Sequence, residues 1–204
     1  MAGLLAYCRA GFENDLANEI QEKASDLEIF GYPKTTVNSG YVLFTCYQEQ
    51  QAESLGKKLK FADVIFARQQ FICQQVLENL DQEDRVGPIL HVCAEFPLCG
   101  DLRVEYPDTT DGRELSKFCR KISVPLRQSL RKKNKLTNKE NLTKPTLHVF
   151  FTDNQTAYVG YSFSFNQSPL PLGIMRLKFP HAAPSRSTLK LDEAFQTFIP
   201  KEEP

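Results

Sequence analysis

Apolar and polar residues change period along the chain, and the changes delimit the elements. Residues 3–8 (GLLAYC) form a short apolar run closed by the turn-like RAGF. Over residues 12–24 the apolar positions Phe12, Leu16, Ile20 and Ala24 fall on one face, with Glu13, Asp15 and Glu19 off it, which predicts a helix. Glu28 to Val37 and Tyr41 to Cys46 read as strands joined by Asn38-Ser39-Gly40, residue types that supply the positive φ a hairpin needs. Residues 48–59 read as a helix and Val64 to Cys73 as a strand.

The order β-α-β-β-α-β is the ferredoxin-like pattern, a sheet with two helices on one face. It predicts a first domain over residues 1–76. A second α/β unit is expected over residues 77–166. Residues 82–96 look helical, although Gly87-Pro88 weakens the start, and Asp101 to Tyr106 alternates as a strand does. A long amphipathic helix spans residues 112–133, with Pro125 expected to kink it or end its first half. A polar loop over 132–145 leads to two strong strands, Thr146 to Thr152 and Ala157 to Phe165, joined by Asp153-Asn154-Gln155.

Composition narrows the class. The chain has 204 residues, 41% hydrophobic and 25% charged, enough to build a core. No apolar run approaches the roughly 18 residues of a membrane span. Formal net charge is zero, so any nucleic-acid binding must come from a local patch. Cys8, Cys46, Cys73, Cys93, Cys99 and Cys119 form no CxxC pair and sit mostly among apolar neighbours. They read as reduced structural thiols of a cytoplasmic protein. His91, His148 and His181 are scattered without ligand spacing, so no metal site is expected, and His148 reads as a strand residue.

Charge is concentrated in one place. Between Arg113 and Lys139 stand ten basic residues and one acid, Glu114. Leu115, Phe118, Cys119, Ile122, Leu126 and Leu130 recur every three or four positions, leaving the cations on the other face. Solvated helix faces usually mix signs, and this one does not. Arg113, Lys117, Arg120, Lys121, Arg127, Arg131, Lys132 and Lys133 are therefore the candidate nucleic-acid-binding residues, the alternative being a solvated outer face. Tyr158, Tyr161, Phe163 and Phe165 read as core and sheet-face residues rather than base-stacking platforms.

Residues 167–184 carry four prolines and little pattern, and read as a linker. A new amphipathic segment starts at Ser185, with Ser185 or Ser187 as its cap and Leu189, Ala194, Phe195 and Phe198 able to share a face. A short helix alone does not bury such a face. Residues 185–204 are therefore expected to open a further domain.

Short blocks along the whole chain carry a resemblance. They are CRAGFE at 8–13, EIFGY at 28–32, GYV at 40–42, IFARQ at 65–69, KFCRK at 117–121, VPLR at 124–127, HVFF at 148–151, GYS at 160–162, RLKFP at 176–180 and APSRSTLKL at 183–191. In this order they resemble the N-terminal half of the ribosomal large-subunit methyltransferase M family, S-adenosylmethionine-dependent 2′-O-ribose methyltransferases of 23S rRNA. The resemblance implies an α+β chain. A ferredoxin-like unit would be followed by a THUMP domain associated with RNA binding, then a linker and the first helix of a Rossmann-like catalytic domain. It implies a cytidine of 23S rRNA as the target. It also matches Lys190 to the first lysine of a Lys-Asp-Lys-Glu catalytic set, and Ser187 to a position near the cofactor. Beyond that, the chain has no glycine-rich cofactor loop after a strand and no later member of the set. The 204 residues alone are therefore expected not to methylate and to bind no S-adenosylmethionine. A stand-alone RNA-binding adaptor, or a module whose basic face meets an acidic protein, are the alternatives.

Overall fold

The computed structural model describes residues 2–179, 185 and 187–199. It divides into two compact units, residues 1–173 and 174–204. His181 lies outside the described residues, as do parts of the expected linker and final segment.

The first half runs β1 (Gly3–Tyr7), α1 (Glu13–Asp26), β2 (Gly31–Thr35), β3 (Tyr41–Cys46), α2 (Gln51–Lys58) and β4 (Gln69–Leu77). Its strands pair antiparallel in the order β2-β3-β1-β4, the ferredoxin-like arrangement. Three details depart from expectation. Glu28 takes φ 59 and closes α1, so β2 starts late. β4 starts at Gln69 because Phe61–Asp63 is a 3-10 turn and the Glu19 carboxylate accepts the N–H groups of Ile65 (2.8 Å) and Phe66 (3.1 Å). Those residues are thereby tied to α1 rather than to the sheet. Glu13 is buried, because its carboxylate accepts the N–H groups of Gly40 (2.8 Å) and Gly11 (3.1 Å) and so joins two turns.

The second half runs α3 (Val86–Val92), β5 (Asp101–Glu105), α4 (Thr110–Glu114), α5 (Ser116–Lys132), β6 (Thr146–Phe151) and β7 (Ala157–Ser162). Asp84 caps α3 by accepting the Gly87 N–H at 2.8 Å, and Pro88 sits in the first turn, where it costs nothing. The long helix breaks at Leu115, not at Pro125. Thr109 caps the short α4 through the Gly112 N–H at 3.0 Å. Pro125 deprives only Lys121 of a helical bond, and both residues are exposed, so water can satisfy that carbonyl. β5 and β6 are parallel, which requires the α4–α5 crossover between them.

The two halves share one sheet. β7 pairs antiparallel with β4, giving seven strands in the order β2-β3-β1-β4-β7-β6-β5. The boundary expected at 76/77 therefore falls at the end of β4, within a single compact unit. One sheet face packs against helices through Leu4, Ala6, Val42, Phe44, Ile72, Leu147, Val149 and Phe151. The alternate residues Leu5, Tyr7, Leu43, Phe71, Cys73 and Phe150 form a second core on the opposite face.

That second core exists because the sheet curls. Tyr7 of β1 stacks on Phe150 of β6 with centroids 4.6 Å apart, although two strands lie between them. In a flat sheet three strand spacings separate them by about 14 Å. The Tyr7 hydroxyl reaches still further, donating to Glu105 of β5 at 3.0 Å. Gly160 of β7 makes part of this possible. A Cβ there would lie 2.9 Å from the Phe71 ring, and it is across β7 that Phe71 stacks on His148 at 4.7 Å.

Residues 167–173 are not a linker. They belong to the first unit and close one end of the inner face. Ser168 and the Gln69 side chain exchange hydrogen bonds at 3.0 and 3.1 Å. Arg103 donates to the carbonyls of Ser168 and Pro169 at 2.8 and 3.1 Å, and the Leu172 N–H donates to Glu105 at 2.6 Å. The segment then leaves through Gly173, φ 65, where any Cβ would meet the Arg68 carbonyl oxygen at 1.7 Å. All six cysteines are free and buried.

Candidate nucleic-acid interface

α5 is anchored by Cys119, Ile122, Leu126 and Leu130, which are buried and spaced by three or four. This fixes the opposite face toward solvent. Lys117, Arg120, Lys121 and Lys132 lie there, with Lys133 just beyond the helix. All five are exposed, and none has a side-chain hydrogen bond or ion pair among the described residues. Arg113 of α4 is also exposed, but it lies 3.6 Å from Asp108, which Arg68 contacts at 3.3 Å from the other side.

Two candidates serve the fold. Arg127 is half-buried, donates to the Leu102 carbonyl at 2.9 Å and pairs with Asp101 at 3.6 Å, tying α5 to β5. Arg131 donates to the Thr137 carbonyl at 3.2 Å and holds the following loop. Helical periodicity does not separate these two from the free cations, because their partners lie outside the helix, in β5 and in the loop that follows α5.

Other cations have duties that sequence reasoning missed. Arg85 lies over the Phe118 ring at 5.2 Å while donating to the Asn154 carbonyl at 2.6 Å. Lys135 donates to the Phe96 carbonyl at 2.8 Å. Among the aromatics, Tyr161 is buried in the sheet as expected, and Tyr158 packs against the inner core. Phe165 departs from expectation: it is 73% exposed and stacks on Phe163 at 5.4 Å.

His148 is a buried strand residue. Burial, with Arg103 nearby, holds its imidazole down at about 3. Glu105 shows the opposite displacement, raised by burial and only partly offset by the Leu172 N–H and Arg103. Burial likewise pushes the thiols of Cys8, Cys73, Cys93, Cys99 and Cys119 to about 12, and that of Cys46 to about 11. None of these groups borders the basic face as a reactive centre.

In the second unit, α6 spans Ser187–Phe198. Ser185 accepts the Ser187 N–H at 3.2 Å, as a helix-leading serine does. Ser187 and Lys190 are both exposed, as are Leu191, Phe195 and Phe198, and no described residue of α6 is buried.

Comparison with known proteins decides the family. The family description "RlmM ferredoxin-like domain" matches residues 1–71, and "Ribosomal RNA large subunit methyltransferase M, N-terminal" matches residues 84–163. The chain carries the N-terminal region of that family. A ribosomal RNA large subunit methyltransferase M from Pseudoalteromonas atlantica is 61% identical over 203 residues, which is all of this chain and 57% of that protein. The Vibrio parahaemolyticus protein of the same name is 54% identical, over 98% of this chain and 56% of its own length. The chain thus spans little more than half the length of the relatives it matches. Among solved structures, TrmN from Thermus thermophilus aligns with 82% of this chain and 47% of its own at TM-score 0.46 and 16% identity, a loose likeness. The two family matches meet the fold at its seam: the first covers β1 to the start of β4, the second α3 to β7.

Proposed function

We propose that this chain is the RNA-recognition part of an S-adenosylmethionine-dependent 2′-O-ribose methyltransferase that acts on a cytidine of 23S rRNA. Residues 77–166 would serve as its THUMP-like RNA-binding region. With ribosomal RNA as substrate, the protein works in the cytoplasm. The observation that carries the RNA reading is the outer face of α5. Lys117, Arg120, Lys121 and Lys132 on that face, with Lys133 just beyond the helix, present five exposed cations without partners among the described residues, on a chain whose net charge is zero. Unpaired surface cations of one sign attract a phosphate backbone and release its counterions.

Lys190 and Ser187 keep the roles the resemblance gives them, a lysine of the catalytic set and a cofactor contact. Two exposed side chains on one helix form no enclosed cradle for S-adenosylmethionine.

The test is charge reversal at Lys117, Arg120 and Lys121, leaving the structural Arg127 untouched. Binding to a 23S rRNA fragment is measured over a salt series. The triple variant is expected to bind at least about ten-fold more weakly, with a log–log salt slope shallower by roughly 2–3 units. An unchanged slope and affinity would remove α5 from the interface.

A further inference from the structure

A cleft of about 380 Å³ opens beside the C-terminal end of α5. Leu90 and His91 of α3, Ala94 of the 3-10 turn Cys93–Glu95, and Leu130 of α5 line it, with Lys133 and Lys135 at its edge. Its size falls within the range of small-molecule sites. The lining has an ordered chemistry. Leu90, Ala94 and Leu130 give an apolar floor, and His91 adds an exposed aromatic ring. Lys135 is held in place by its bond to the Phe96 carbonyl at 2.8 Å. Lys133 is exposed and free of side-chain partners among the described residues.

We infer that this cleft takes a single unpaired base of the RNA bound along α5. The inference rests on the reading of α5 as the RNA face. Lys133 edges the cleft and follows directly on Lys132, the last residue of α5, so a strand whose phosphates follow α5 to its C-terminal end arrives at the mouth. The occupant is a base rather than a phosphate. The floor of Leu90, Ala94 and Leu130 offers an anion no donor, and the two cations, Lys133 and Lys135, stand at the edge. A neutral, flat, aromatic group satisfies both conditions while its own phosphate stays outside on Lys133. A paired base does not leave its stack to enter such a site, whereas a bulged or looped one is already extruded.

The test uses the full chain and two RNA hairpins that differ by one bulged 2-aminopurine. The bulged hairpin is expected to bind about ten-fold more tightly than the fully paired one, the range of a single base–aromatic contact, with a change in 2-aminopurine fluorescence. Ala94 is exposed, so Ala94→Trp fills the cleft without disturbing the core. This variant is expected to lose the preference and keep the affinity for the paired hairpin. Equal binding of the two hairpins by the unsubstituted chain, or a preference that survives in Ala94→Trp, overturns the base site and leaves the basic face standing. Failure to bind either hairpin overturns the basic face, and the base site with it.

Discussion

Phe150→Ala is expected to lower the unfolding free energy by about 3–5 kcal/mol. Phe150 is fully buried on the inner face of β6. It stacks on Tyr7 at 4.6 Å, meets Tyr41 edge-on at 5.3 Å and lies 6.3 Å from Tyr158. Tyr41 is on β3 and Phe150 on β6, so this one ring joins strands from both halves of the chain. Removing it leaves a cavity that a curled, hydrogen-bonded sheet cannot collapse to fill. Phe150→Leu retains most of the volume and is expected to recover more than half of the loss. Urea titrations of the three proteins measure the difference. A loss below about 1 kcal/mol for Phe150→Ala would mean that the inner face is not the closed core described, since so small a cost fits an exposed ring.

The same ring shows where the sequence stops being informative. Alternation along TLHVFF identifies a strand, and the β-α-β-β-α-β order identifies the ferredoxin-like half. Both depend on contacts within a few residues or on the order of elements. Alternation also implies one apolar face and one facing water. Tyr7, Phe71, His148 and Phe150 lie on the face opposite the helices, yet they are buried. Curvature buries them, and curvature is decided jointly by seven strands and by the missing side chain at Gly160. The proline-rich stretch after Asn166 misleads for a related reason. Prolines there suggest a linker, but Gln69, Arg103 and Glu105, all far away in sequence, provide the partners that hold it. At the interface, periodicity locates the exposed face of α5 correctly. It counts Arg127 and Arg131 with the free cations because nothing local marks the carbonyls of Leu102 and Thr137 as their targets.

Acid is expected to destabilise the fold through His148, and the sign can be isolated. The Ser162 hydroxyl donates its one proton to Gln167 at 2.7 Å, so it accepts from His148 Nε2–H at 2.8 Å. His148 Nδ1 has no partner among the described residues, which suits a neutral ring. With the folded value near 3 and the unfolded value near 6.5, the unfolded chain binds the extra proton throughout that window. Stability is therefore complete above the unfolded value and falls as pH drops, with a slope approaching about 1.4 kcal/mol per pH unit. Glu105 acts in the other direction. Its raised folded value makes the folded state the better proton binder above the ordinary carboxylate range, so its contribution grows as pH falls. The two oppose each other above the ordinary carboxylate range, and a pH profile of the unsubstituted chain alone would blur them. His148→Gln retains an N–H donor and cannot charge, while Glu105 is unchanged in it. The gap in unfolding free energy between the two proteins is expected to shrink by about 2–3 kcal/mol from pH 7 to pH 4.5. A gap that stays constant over that range would show that His148 titrates alike in both states. The ring would then have to be reached by water, contrary to a side chain sealed between Phe71 and Ser162.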